Sequence, residues 1–128
     1  MIDEKSGFLF KACEALDGAQ SEFANKRYNN AANRAYYACF HAAIAALLDA
    51  GVHPPARQLG HDYVQAQFSG LLIHRRKLYP EQLGSVLSRN IDVRKEADYD
   101  AESASEKDAK RAIEKAKRFV EAVETKVR

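Results

Sequence analysis

Apolar residues recur along this chain at three- and four-residue spacing in several separate runs, and none alternates with the period of two that a half-buried strand requires. The longest run, Tyr28 to Leu48, is apolar on nearly every side, rich in Ala and free of Gly and Pro. Such a helix has no polar face to give to water, which predicts a place at the centre of a bundle. Its small alanines let neighbouring helices approach, while Tyr36, Tyr37 and Phe40 fill the gaps between them.

The other runs predict the partners of that helix. A first helix is expected from about Asp3 to Phe23, with Phe8, Ala12, Ala15, Leu16, Ala19 and Phe23 inward. Asn25-Lys26-Arg27 is the turn into the central helix, and Gly51 with Pro54-Pro55 ends it. A shorter third helix is predicted from about Gly60 to Leu72, turning Tyr63, Val64, Gln67, Phe68 and Leu71 inward. Pro80 suits the first turn of a fourth, Glu81 to about Tyr99, with Leu83, Val86, Leu87, Ile91 and Ala97 as core candidates. Ser103 or Ser105 can cap a last helix, roughly Glu106 to Lys126. Its pattern is the cleanest in the chain: Ala109, Ala112, Ile113, Ala116, Phe119, Val120 and Val123. The expectation is an all-α fold, an antiparallel up-down bundle of four to five helices forming a single domain over residues 1–128.

Composition narrows the class further. A chain of 128 residues can bury roughly two thirds of its unfolded surface in one core. No apolar run approaches the ~20 residues that span a bilayer, and the start, Met-Ile-Asp-Glu-Lys, lacks a basic region followed by an apolar one. Cys13 and Cys39 have no short spacing that would suggest a disulfide framework or a zinc knuckle, so a cytoplasmic location is expected. His53, His61 and His74 lack the spacing of metal ligands, and neither a metal nor another cofactor is expected. Cys39, without a persuasive base nearby in sequence, reads as a small core residue. A net charge of +2 is too small to argue for nucleic acid by itself.

Asn33, Arg34 and His41 are polar groups placed on a helix that is mostly apolar. Arg34 and His41 are seven apart, two turns along one face, with Tyr37 and Phe40 between them on nearly the same side. Two readings stand. In one, Arg34 pairs with an acid from another helix and His41 is a satisfied core imidazole; in the other, both face a ligand.

The stretch Asn33-Arg34-Ala35-Tyr36-Tyr37-Ala38-Cys39-Phe40-His41-Ala42 resembles the Asn-Arg-Ala-Tyr-Tyr-Ala-x-Phe-His-Ala signature of the small stand-alone HEPN-domain proteins of bacteria and archaea. Two further stretches agree in order and distance. They are His61-Asp62-Tyr63-Val64 followed by Phe68, and Leu87-Ser88-Arg89 leading into Arg94-Lys95-Glu96-Ala97-Asp98-Tyr99, which is similar to that group's Arg-x-x-Ala-Asp-Tyr. Together they cover about residues 8 to 125. The resemblance implies an up-down helical bundle, usually a homodimer, with the last signature near the dimer cleft.

It also implies a chemistry to weigh. Many HEPN domains are metal-independent ribonucleases, often toxins, in which an Arg is followed after four to six residues by a His. A guanidinium can hold the scissile phosphate while an imidazole titrating near ~6.5 moves the 2′-hydroxyl proton. Carried over, the arginine is Arg94, but the position with four residues between is Tyr99, a phenol of ordinary pKa ~10 and a poor base at neutral pH. Arg89-Asn90 is another Arg start without a matching His, and no histidine follows His74. His41 or His61 could replace the missing imidazole only where the fold brings one beside Arg94. Arg94 and Asp98, one turn apart, also read as an ordinary helix-surface ion pair.

Stand-alone HEPN proteins commonly act with a minimal nucleotidyltransferase, in toxin–antitoxin pairs. The expectation is therefore a binding and partnering component of such a module, with a degenerate Arg-x4-Tyr; the alternative is a metal-independent ribonuclease toxin acting through a dimer cleft. The residues expected to line a nucleotide- or RNA-facing cleft are Arg34, Tyr37, His41, His61, Arg94, Asp98 and Tyr99, with Tyr36 or Tyr37 able to stack on a base. Arg94, Tyr99, His41 and His61 are the catalytic candidates. Arg75-Arg76-Lys77 reads either as an electrostatic extension of that cleft or as a solvated loop cluster, and Tyr99 is the first candidate for nucleotidyl modification by the partner.

Overall fold

In the computed structural model of the chain, residues 3–54, 60–99 and 104–127 are described, except for the side chains of 91–99. Four long helices alternate in direction: α1 (Glu4–Ala24), α2 (Tyr28–Asp49), α4 (Gln82–Tyr99) and α5 (Glu106–Val127), with a shorter α3 (His61–Gln67) inserted between α2 and α4. The fold is the all-helical up-down bundle that the periodicity predicts.

α2 is the centre. Ala31, Ala35, Ala38, Ala42, Ala43 and Ala45 are wholly removed from solvent, as is Leu47, and α1, α4 and α5 all pack on it. Alanines on one half of its circumference let neighbours approach closely, while Tyr36, Phe40, Ile44 and Leu47 fill the space on the other half. α1 lies antiparallel to it, starting beside its end, where Lys5 Nζ meets Asp49 Oδ1 at 3.2 Å. The Asp3 carboxylate accepts the Ser6 backbone N–H at 2.7 Å and caps α1, and that bond holds its pKa below the ordinary value. Lys26, at φ 62°, supplies the left-handed residue of the tight turn into α2.

The α2 stop falls at Gly51 (φ 83°), whose lack of Cβ permits the reversal. α3 then starts beside the middle of α2, and the segment that follows it comes back to the C-terminus of α2, where Arg76 Nη1 donates to the carbonyl of Ala50 at 2.8 Å. Periodicity alone did not anticipate one feature: α3 continues into a π-helical stretch, Phe68–Arg75, which closes with the Arg76 N–H on the Leu71 carbonyl at 2.9 Å. α4 returns antiparallel to α2, and Asn90 marks the register. Its side-chain amide donates to Cys39 Sγ at 3.4 Å and to the Ala112 carbonyl at 3.3 Å, tying α4 to α2 and α5.

α5 buries the seven positions its pattern picks out, from Ala109 to Val123, and Ser105 caps it by accepting the Asp108 backbone N–H at 3.0 Å. Phe119 is wholly buried, its ring centroid 5.1 Å from that of Phe68, which in turn lies 5.2 Å from Tyr79. Burial of rings this size stabilises by roughly 1.5–3 kcal/mol each. In α1 the buried stripe is Leu9, Ala12 and Ala19, with Phe8, Ala15, Leu16 and Phe23 only partly covered. Ser103, Ile91 and Ala97 fall, for cap or core role, outside the described residues.

Candidate functional site

The central helix builds the site from spacing. Arg34, Tyr37 and His41 follow one another at three and four residues on one face, and Tyr36 and Phe40 occupy the adjoining inner stripe. The N-terminal residue of α3, His61, is laid across that stripe. Its ring centroid is 4.9 Å from Phe40, 5.0 Å from Tyr36 and 6.2 Å from Tyr37, and the Tyr36 hydroxyl is hydrogen-bonded to its Nδ1. One imidazole predicted only as a site residue is thus a member of an aromatic cluster joining α2 to α3.

His41 forms the other edge of the same cluster. It stacks on Tyr37 at 6.0 Å and 29°, and meets Phe40 at 5.7 Å and Phe8 of α1 at 5.9 Å. Lys11 completes the column from outside, its Nζ 5.4 Å over the Phe8 ring. Burial in these rings, with a smaller contribution from the Lys11 charge, pushes the His41 pKa below its ordinary value. Its Nδ1 is buried without a hydrogen-bond partner, so His41 is not the fully satisfied core imidazole of the first reading.

Tyr36 is completely buried, which corrects the expectation that it could stack on a base; of the pair, the half-buried Tyr37 retains some exposed ring. Arg34 is exposed, its stem lying along α1 where a Cβ on Gly18 would come within 3.8 Å of its Cδ. Cys39 is wholly buried, and its thiol is pushed up to about 12 by burial, which excludes it as a nucleophile at neutral pH.

The α4 signature runs past another side of α2, the one that carries Cys39, which points away from the Arg34–Tyr37–His41 face. Arg94 lies one turn beyond Asn90, and because α4 runs antiparallel to α2 with Asn90 against Cys39, that turn is level with the turn of α2 carrying Ala35 and Tyr36. The side chains of Arg94, Asp98 and Tyr99 lie outside the described residues.

A family model for the HEPN domain matches residues 6–126, the span from the start of α1 to the end of α5. The chain belongs to the HEPN family. Among its relatives, "Putative toxin MJ0605" of Methanocaldococcus jannaschii is 32% identical over 121 residues, covering 94% of this chain and 87% of that protein. A "UPF0332 protein" of Thermotoga maritima is 34% identical over 115 residues, covering 89% and 83% respectively.

Within the HEPN bundle the remaining charged candidates separate from the cluster. Arg75, Arg76 and Lys77 are all exposed, and Arg76 is tied to Ala50 at the end of α2, about 24 Å along the helix axis from Arg34. That distance disfavours the basic cluster as an extension of an Arg34-centred cleft. Among the described residues, no His, Cys, Asp and Glu side chains group in a way that could hold a metal, and no helix is long and apolar enough to cross a membrane. Asn90 is the residue that the sequence reading missed. Its signal was present: it falls three positions after Leu87, on the stripe that buries Leu83 and Leu87, where an apolar residue would be usual.

Proposed function

We propose that this HEPN chain is the toxin-like component of a two-component module, binding nucleotide or RNA and partnering a minimal nucleotidyltransferase as a homodimer. Arg34, Tyr37, His41 and His61, with Arg94, Asp98 and Tyr99 of α4, are the nucleotide- or RNA-binding residues in this reading. The reading is one of binding rather than cleavage. The observation that carries it is the Tyr36–His61 hydrogen bond inside the aromatic cluster: an imidazole engaged on Nδ1 by a buried phenol and packed against Phe40 serves as a fixed structural element. With Tyr99 at the position where active relatives keep a histidine, no free imidazole accompanies Arg94 in the signature. The name of the Methanocaldococcus relative supports the toxin-like part.

Purified protein incubated with single-stranded RNA in EDTA separates this reading from the ribonuclease alternative. Intact RNA, binding that weakens with salt, and weaker binding by Arg34→Ala or Arg94→Ala are expected. Cleavage that Arg94→Ala abolishes would instead establish a metal-independent ribonuclease. Co-purification of the chain with a nucleotidyltransferase, followed by mass spectrometry of Tyr99 after incubation with ATP, tests the partnering arm.

A further inference from the structure

Away from the aromatic cluster, a cleft of about 410 Å³ opens between the π-helical stretch and the first half of α4. Ser69 and His74 line one wall; Glu81, Ser85, Ser88 and Arg89 line the other. The volume is in the range of small-molecule sites, roughly 300–1,000 Å³, but the lining is polar, with Ile73 as its aliphatic member. Three local features build it. Positions 85 and 88 share one face of α4, and Glu81 lies in the turn just before it. The wider winding of the π-helical stretch puts Ser69, Ile73 and His74, four and five residues apart, on the facing side. Gly84 allows the two walls to meet at the bottom, since a Cβ there would stand 3.1 Å from Ser69 Oγ and 3.3 Å from Ile73 Cδ1.

The donor set has a direction. The hydroxyls of Ser85 and Ser88 and the planar fork of Arg89 lie within one turn of α4, with Ser69 on the facing wall, a set suited to a tetrahedral group rich in acceptors. Glu81, in the turn just before α4, is eight residues from Arg89, about 12 Å along the helix axis, so the acidic member of the lining stands two turns from the guanidinium. An adjoining depression adds Lys77 beside His74 and Glu81.

We infer that this cleft binds a nucleotide phosphate, with Arg89 and the hydroxyls of Ser85 and Ser88 on the phosphate and Glu81 accepting from an amino or hydroxyl group at the far end of the ligand. The inference deepens the proposed binding role, on which the choice of a nucleotide over another phosphate ester rests. A phosphodiester of single-stranded RNA offers the same chemistry as a free nucleotide.

Equilibrium binding of inorganic phosphate, AMP and a short single-stranded oligoribonucleotide to the full chain tests it. AMP binding competed by phosphate, and weakened about tenfold to a hundredfold in Arg89→Gln, is expected. Ser85→Ala/Ser88→Ala should weaken it in the same sense, with helical content and unfolding midpoint unchanged because Ser85 is exposed and Ser88 only half-buried. Competition by the oligonucleotide, with a salt slope reduced in Arg89→Gln, would identify the phosphodiester as the source; its failure to compete would identify the free nucleotide. Absence of saturable binding by all three probes, or binding that Arg89→Gln leaves intact, overturns the inference. Loss in Arg94→Ala combined with retention in Arg89→Gln overturns the cleft alone and leaves the proposed function standing.

Discussion

The hydroxyl of Tyr36 is hydrogen-bonded to Nδ1 of His61, so that the middle of the central helix and the first turn of α3 are joined by a phenol–imidazole pair inside a cluster of rings. Tyr36 has no solvent exposure, and no water can replace the phenol from its own side. Tyr36→Phe keeps the ring packing and removes the bond. It should lower unfolding stability by about 1–2 kcal/mol, read as a shifted denaturation midpoint at unchanged m-value.

His41 gives a pH dependence of defined sign. Its folded pKa lies below the ordinary 6.5 because burial and then Lys11 disfavour the charged imidazolium. The unfolded chain therefore binds the proton more readily. The stability tied to neutral His41 is present above the unfolded value and is lost as pH falls through the folded one. Denaturation curves at about pH 7 and about pH 5 should show the wild type weaker in acid. In His41→Phe that difference should shrink, and stability near neutrality should rise by about 1 kcal/mol because an unpartnered buried nitrogen has gone. An unchanged pH difference in the variant would remove His41 as its source.

Three helical glycines should respond differently to a methyl group. A Cβ on Gly7 meets nothing within 4 Å, and one on Gly18 makes an ordinary 3.8 Å contact with the Arg34 stem. Gly7→Ala and Gly18→Ala should each stabilise by about 0.5–1 kcal/mol through backbone entropy, and should add when combined. Gly84→Ala presses on Ser69 and Ile73 and should give no such gain. Thermal midpoints of the three variants check the ordering.

The two cysteines should differ in reactivity. Cys39, buried and with its thiol pushed up to about 12, should resist alkylation until the bundle unfolds. Cys13, half-buried on α1 beside Glu124, should be labelled in the native state at about pH 8. Peptide mapping after a timed iodoacetamide reaction would reveal the order, and equal labelling of both in the folded protein would contradict the buried placement of Cys39.

Much of the architecture was legible before any coordinates because helical burial is periodic. A charged residue at Ala112 or Phe119 would be buried without a partner, so α5 carries its inner face openly in its sequence, and the alanines of α2 carry its central position in the same way. What the sequence determined by itself was therefore the order and near-extent of the helices, the buried faces, and the family signature. Tertiary structure decided the rest, because periodicity describes a helix against its own axis and says nothing of which neighbour covers it. Tyr36 and Tyr37 are adjacent and chemically identical, yet the first is wholly buried beneath α3 and the second only half-buried. His61 became a cluster member only when α3 crossed α2, and Ser69 met Ser85 and Ser88 across a cleft only when the π-helical stretch turned toward α4.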